Sequence, residues 1–507
     1  MGEQPNILLI MCDQLNAGIM GCYGGPVPTP NLDRLASEGL RFTNASTPCP
    51  ACSPARATIL TGLYPHGHGI TYNCNLVDYP DIKAPPTEKG LSADDETLPR
   101  LLHAAGWQTH HYGKWHLSGA GEDLPYYADM FGEHHEYADI MAETFEEVRR
   151  QAPDTWLDWY GWALPVDVRD DLRRRIRELG DDWGSGKLNP DWIAKMGRLE
   201  LPAERDFDVM VADRTIERLA NLDPDRPFMV TCSFNRPHDP FVTPSPYYEQ
   251  IDPDALPLPD NFESCEPRFR RDWSRRQAED IGEFGVREFR RCYGSSVRLV
   301  DDQIGRVLDA LEQSGRAENT IVVFTADHGD MCGGHGMLRK STNGMYDELM
   351  RVPCIIRWPG RLPAGDCGLE VALADLAPTL LGFVGAEGLA DRHGCDMSPY
   401  LLGRRPASEA PPYRFGECVW GSDEHDRDLS RARIIRYMVR GRGMKYFAYI
   451  GPELRPDDEY LFDLIEDPGE TRNVVSDPAR AGRLEEMRRA AAEWLEANGS
   501  PGLREHY

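Results

Sequence analysis

The chain predicts an α/β fold built on a central, mainly parallel sheet, and three observations point there. Four continuous apolar runs have strand length and lack polar alternation: "NILLIM" (6–11), "FMVTCSF" (228–234), "TIVVFTA" (320–326) and "CIIRW" (354–358). Unbroken apolarity of this kind suits strands covered on both faces, as in parallel sheets. Helical patterns separate them, as in "PNLDRLASEG" (30–39) and "SSVRLVDDQIGRVLDALEQSG" (295–315), so helices should flank the sheet. After "DRHGCDMSPYLLGRRPAS" (391–408) the pattern changes: "ARIIRYMVRG" and "MKYFAYI" read as antiparallel strands, and "ARAGRLEEMRRAAAEWLEAN" as a closing amphipathic helix.

Taken in order, the first strand ends in Cys12-Asp13-Gln14. A helix should open at Cys52 in "TPCPACSPARATILTGLYPHGHG" (47–69), with Ser53 as cap, Pro54 at a first helical position and Ala55 to Leu60 favouring helix. Residues 119–227 are rich in charge and Trp and weak in strands, which predicts a helical insertion rimming a cleft. Pro-rich loops should cover roughly 237–270. The domains expected are thus 1–400, an α/β catalytic domain with its insertion at about 119–227, and 401–507, a smaller α+β unit with an antiparallel sheet. No internal repeat is evident.

The 507 residues suffice for two or three domains and a large core. With 56 basic and 83 acidic residues the net charge is −27, which speaks against nucleic acid or anionic membrane surfaces as general partners. A small anionic substrate remains compatible, because a few local cations can dominate inside a cleft. The first residues, "MGEQPNILLIMCDQ", lack the pattern of a secretory signal, and no apolar run is long enough to span a membrane. Thirteen cysteines, an odd number without a framework spacing, predict a reducing, cytoplasmic setting.

Chemistry concentrates at strand ends. "NILLIMCDQ" delivers Asp13 and Gln14, and "TIVVFTADHGD" delivers Asp327 and His328. In open α/β sheets ligands bind beyond the carboxyl ends of strands, so both pairs could meet in one crevice. One Asp after a strand is commonly a turn or cap; two such pairs beside Cys52 argue for a metal site. A thiol at a helix start faces free N–H groups and the positive end of the helix dipole, which favours anions and lowers its pKa. From the residues alone Cys52 is open as a thiolate, a metal ligand, half of a disulfide, or something made from a cysteine.

The segment "CSPARATILTG" resembles the signature of the type I, formylglycine-dependent sulfatases of the alkaline phosphatase superfamily. The similarity runs nearly end to end through "PNILLIMCDQ", "TPNLDRLASEGLRFTNA", "GWQTHHYGKWHL", "FNRPHDPF", "TADHGD", "KSTNGMYDELMRVPCIIRWPG" and "YLFDLIEDPGETRNV". The resemblance implies the alkaline phosphatase-like fold and hydrolysis of a small organic sulfate ester to alcohol and sulfate. It implies that a formylglycine-generating enzyme converts Cys52 to an aldehyde (formylglycine, 3-oxoalanine) that hydrates to a geminal diol. The chemistry favours that reading: a plain thiolate would be left with a stable adduct. A diol has a second hydroxyl whose proton loss expels sulfate.

Other roles are implied residue by residue. Arg56 matches the arginine that holds the formylglycine and metal ligands. Lys114 and His116, in "GKWHL", match a pair contacting sulfate and the diol, the histidine being the base for collapse. His238 matches a histidine near the leaving-group oxygen, Lys340 a lysine that binds sulfate there, and Asn73 a substrate-contacting asparagine. The metal would be held by Asp13, Gln14, Cys52, Asp327 and His328. Many members carry Asp-Asp and Asp-Asn where this chain has Asp13-Gln14 and Asp327-His328, a choice similar to choline sulfatases and phosphonate monoester hydrolases. Ca²⁺ is the family default, and Mn²⁺ is the alternative that an imidazole ligand favours. Arg56, Lys114 and Lys340 would supply local positive charge against charge developing on the leaving oxygen.

Three rival readings compete with a sulfatase. A phosphonate monoester or phosphodiester hydrolase would use the same aldehyde, but "GKWHL" points to sulfate. Cys49-Pro50-Ala51-Cys52 could be a redox or zinc-binding Cys-x-x-Cys, yet a second ligand pair is missing and Ser-Pro-x-Arg is left unexplained. A non-catalytic binder of sulfated ligands would not need every polar position filled. His66 and His68 read as structural, and Trp115 as core with stacking on a ring or cation as its alternative. An aryl, sugar or choline sulfate would each fit, and a homo-oligomer is compatible with the sequence.

Overall fold

The four expected core strands join three others in one seven-stranded sheet in a computed structural model of the chain. The structure describes residues 4–71, 73–74, 90–92, 94–117, 157–159, 162–164, 166–167, 174, 196–340, 344–389, 392–419, 435–450 and 459–498. The insertion expected at about 119–227 therefore lies largely outside the described residues up to Met196.

The sheet strands are β1 (Asn6–Asp13), β2 (Leu40–Ser46), β3 (Gln108–Gly113), β4 (Phe228–Pro237), β5 (Thr320–Ala326), β6 (Cys354–Arg357) and β7 (Gly365–Ala372). Their order is β7-β2-β6-β5-β1-β4-β3. β1 pairs in parallel with both β5 and β4, and β3 in parallel with β4. β1 is buried along its whole length, which is why its sequence shows no alternation. "CIIRW" departs from the expectation: β6 runs antiparallel to both β5 and β2. A strand covered on both faces is apolar whichever way it runs, so its direction cannot be read from such a run.

Helices cover the sheet. α1 (Pro30–Glu38) is anchored by Asp301, whose carboxylate accepts from the Leu32 and Asn31 N–H groups. This neutralises two donors that a helix start leaves without partners. Asp301 belongs to α4 (Trp273–Gln313), which begins well before the pattern seen at 295–315 and breaks at Gly282, where φ is 67°. The stretch 237–270 is not loop throughout: Phe241–Pro244 forms a short strand beside Met196–Leu199.

A second sheet holds β8 (Arg414–Val419), β9 (Ile435–Gly441), β10 (Met444–Ile450) and β11 (Glu459–Asp463), antiparallel in that order. Tyr437, Val439 and Tyr446 on this sheet pack with Leu484, Met487 and Trp494 of the closing helix α6 (Ala481–Asn498). Its opposite flank meets the large sheet through buried charge: Arg440 of β9 pairs with Glu370 of β7 at 2.9 Å. Lys445 Nζ lies 3.0 Å from Asp347 and 2.6 Å from Glu470. Among the described residues no helix is long and apolar enough to cross a membrane.

Candidate active site

The carboxyl ends of β1, β3, β4 and β5 open on the same edge of the sheet, and the helix α2 (Cys52–Thr61) points its N-terminus there. α2 is buried at every residue. Ala51, not Ser53, is its N-cap, and Cys52 is the first helical residue. The Ser53 hydroxyl is engaged elsewhere, donating to His116 O (2.6 Å) and accepting from Cys74 N (3.0 Å). Asn73 Oδ1 takes the Ser53 N–H at 3.0 Å, so Asn73 serves as the side-chain cap that the helix start lacks.

Around Cys52 Sγ converge Lys340 Nζ (3.0 Å), His328 Nε2 (3.3 Å), Asp13 Oδ1 (3.7 Å) and Lys114 Nζ (4.0 Å). His116 also shares a hydrogen bond with the thiol. Burial alone would push the Cys52 thiol up, but Lys114, Lys340 and His328 outweigh it and hold it well below its ordinary range. Arg56 lies one turn on, hence on the same face of α2. Its guanidinium bonds Asp327 Oδ2 (2.8 Å), Asp13 Oδ2 (3.0 Å), Lys114 O and Ser233 Oγ. Arg56 therefore fixes both carboxylates, and Ser233 completes its donor pattern.

Lys114 follows β3 and reaches Asp13 Oδ2 at 2.8 Å. Its path depends on Gly113, which has φ of 90° and whose Cβ would lie 2.0 Å from Ser233 O. On the far side, His238 Nε2 is 3.1 Å from Lys340 Nζ and 3.9 Å from Asp13 Oδ1. The neighbouring residues tie the same two loops together: Asp239 Oδ2 pairs with Arg339 at 3.1 Å. Arg339 and His238 with its neighbours holds Asp239 down to about 2 against burial.

Asp13, Cys52, Asp327 and His328 each offer a ligand atom, all within 4.8 Å of one another and all buried. The donor set suits a divalent cation. Burial and the adjacent Asp13 push Asp327 up to about 6, a mutual repulsion that a cation relieves. Among the described residues no donor reaches Gln14 Oε1, a buried acceptor, as expected of an oxygen meant for a cation. Gln14 and His116 adopt left-handed backbone, φ 63° and 59°, and such strain in non-glycine residues gathers at working sites.

Every residue the sequence singled out for catalysis or metal binding is thus brought to one place. Ser233, Asp239 and Arg339 were missed, although Asp239 stands inside the "PHDP" motif. The Cys-x-x-Cys is split: Cys49 shares its hydrogen bond with Cys418 of β8, and its thiol is pushed well up by burial. His68 bonds Thr58 and Ile70, His66 pairs with Glu417, and Trp115 is buried against His111. These three belong to the framework.

A buried acceptor-rich cluster able to hold a cation under a nucleophile position, with two ammonium groups facing it, is suited to esters of strong oxyacids. Lys114 and Lys340 supply positive charge there, and a bound cation would add to it. Comparison with known proteins narrows that class. The sulfatase family profile matches residues 5–386, and the profile of the N-sulphoglucosamine sulphohydrolase C-terminal region matches residues 333–496. An arylsulfatase of Clostridium perfringens is 28% identical over 512 residues, covering 97% of this chain and 95% of its own. Among solved structures, that of BT1596, a 2-O GAG sulfatase, is similar at a TM-score of 0.70 and 25% identity, covering 100% of this chain and 94% of that one. The phosphonate monoester hydrolase SpPMH from Silicibacter pomeroyi shares the fold at a TM-score of 0.75 and 24% identity, covering 99% and 97%. The chain belongs to the sulfatase family, within the alkaline phosphatase superfamily, and is a sulfuric ester hydrolase.

Proposed function

We propose that this chain cleaves a small organic sulfate ester through formylglycine made from Cys52 by a formylglycine-generating enzyme. The observation that carries the reading is the position of Cys52: a first helical residue, fully buried, between Lys340, Lys114, His328 and His116. When hydrated, the aldehyde supplies one nucleophilic oxygen and a second hydroxyl through which sulfate is released. Asp13, Gln14, Asp327, His328 and residue 52 would hold one divalent cation, which supplies positive charge against the sulfuryl oxygens when bound. Ca²⁺ is the first choice and Mn²⁺ the alternative, since Gln14 and His328 are neutral ligands.

The remaining roles follow from position. Lys114 and Lys340 offset sulfate charge from two sides of residue 52. His238, beside Lys340, stands where a leaving oxygen needs a proton, and its Nδ1 is 2.8 Å from Asp239 O, which fixes the ring. His116 takes the proton from the second hydroxyl; burial together with Lys114 pushes its pKa down, so it stays neutral and able to accept. Arg56 holds the carboxylates. Asn73 sets the start of α2 and thereby residue 52. A cytoplasmic setting is supported by thirteen cysteines, all among the described residues and all free thiols.

A second reading, phosphonate monoester or phosphodiester hydrolysis through the same formylglycine, is favoured by Gln14 and His328, a ligand choice similar to that of phosphonate monoester hydrolases, whose fold the chain shares. One experiment tests both. Protein from a host with the maturing enzyme should yield a Cys52 peptide lighter by thiol-to-aldehyde conversion, and should favour an aryl sulfate over the matching phosphonate by kcat/KM. Full activity with an unmodified, alkylatable Cys52 would sink the formylglycine reading. A preference for the phosphonate would reverse the choice of substrate.

A further inference from the structure

Asp330, the second acid of "ADHGD", is fully buried and bonded on every side. Its Oδ2 accepts from Gln14 Nε2 at 2.6 Å. Its Oδ1 accepts from Cys332 N (2.7 Å) and Arg339 N (3.1 Å), and its carbonyl takes Asn16 Nδ2 at 2.7 Å. Because Gln14 Nε2 donates to Asp330 Oδ2, the carboxamide turns its NH₂ to Asp330, and Oε1 is left as a buried acceptor that no donor reaches among the described residues. Arg339, held by the same carboxylate, has φ of 62° and immediately precedes Lys340, whose Nζ reaches Cys52.

We propose that Asp330 is a positioning residue with two outputs. It locks the Gln14 carboxamide with its oxygen available to the cation, and it anchors the turn that delivers Lys340. The proposal rests on the reading that the Asp13, Asp327 and His328 cluster holds a divalent cation. Loss of a group that orients a metal ligand in this way typically costs about 10- to 100-fold in affinity.

The test pairs an isosteric exchange with a second one that restores the net charge. Asp330→Asn keeps an oxygen for the Cys332 and Arg339 N–H groups, so the turn survives. Its amide nitrogen, however, now faces Gln14 and forces the carboxamide to present NH₂ to the cation. Adding Gln14→Glu restores an oxygen on both sides: one accepts from the new amide, the other is free for the cation. Affinity of chelator-stripped protein for Mn²⁺ and Ca²⁺ is measured by competition with a chromophoric chelator, alongside the rise in Tm that each ion produces. Asp330→Asn should weaken affinity about 10- to 100-fold and shrink the Tm response. The double variant should recover most of both. An unchanged affinity in Asp330→Asn would overturn the proposal while leaving the cation reading intact. Loss without recovery in the double variant would assign the effect to the turn and overturn it as well. A wild-type chain that binds neither ion would remove the cation reading itself, and the proposal with it.

Discussion

His238 and Lys340 stand 3.1 Å apart, and only one of them can be the proton donor to a departing oxygen while the other holds sulfate. The surroundings favour His238. Its Nδ1 faces the Asp239 carbonyl and, at 3.3 Å, the Asp239 carboxylate, which leaves Nε2 to carry the transferable proton toward the site. Lys340 is placed on Cys52 itself and is suited to a fixed charge. If this division holds, His238→Ala should lose rate in proportion to the basicity of the leaving oxygen. A nitrophenolate departs with little help, whereas an alkyl or sugar oxygen needs the proton. The loss on unactivated sulfates should reach about 10²- to 10⁴-fold, the usual range for acid–base catalysis, and should be clearly smaller on nitrophenyl sulfate. Steady-state kcat for a leaving-group series gives the answer, and equal losses across the series would make His238 a sulfate ligand.

At the scale of elements, a stack of imidazoles joins the catalytic body to the closing helix. His66, on the short helix Pro65–His68 that follows α2, pairs with Glu417 of β8 at 2.8 Å and reaches Asn498 O at the end of α6. His393 stacks on it with ring centroids 4.6 Å apart, and Trp494 of α6 packs edge-on. Burial lowers the His66 pKa, but Glu417 overcomes it and the net shift is upward. Burial and the neighbouring His66 push His393 down to about 4. The signs are opposite. A raised His66 stabilises the fold below about pH 6.5, its unfolded value, and that contribution is lost as pH rises through the folded value. A lowered His393 costs stability as pH falls from about 6.5 toward 4, because the unfolded chain then binds the extra proton. The junction should therefore be firmest near pH 6.5. Denaturant midpoints at pH 5, 6.5 and 8 should show His66→Gln flattening the alkaline side and His393→Gln the acid side. A profile unchanged in both variants would exclude the stack as its source. None of this junction was legible in the sequence, where His66 reads only as structural. The motif residues were legible because catalysis restricts residue type at Cys52, Arg56, Lys114 and Asp327 whatever surrounds them. What escaped depends on long-range partners. Ser53 looks like a cap until His116 O claims its hydroxyl, and nothing in the sequence marks Asp330 until Gln14 is laid against it.

Across the whole molecule, a chain of net charge −27 binds an anion. The two facts are reconciled by range. In the site Arg56 and Lys114 are already paired with Asp13 and Asp327, so their field is short-ranged and acts on a substrate that has arrived. Farther out than about 10 Å the excess of acidic residues governs the potential an approaching ester meets, to an extent set by salt. At about 0.01 M ionic strength the screening length is about 30 Å and the whole surface repels; at about 0.15 M it is about 8 Å and only nearby charges count. Relief of about one kT of repulsion raises the local concentration of a monoanion about threefold. kcat/KM for an aryl sulfate should accordingly rise by about that factor between these two sodium chloride concentrations, with kcat unchanged. A sulfate ester that carries its own quaternary ammonium has no net charge, so its kcat/KM should stay flat and serve as the internal control. If the aryl sulfate instead loses kcat/KM as salt is added, the cations of the site are steering from a distance, and the acidic exterior plays no part in substrate capture.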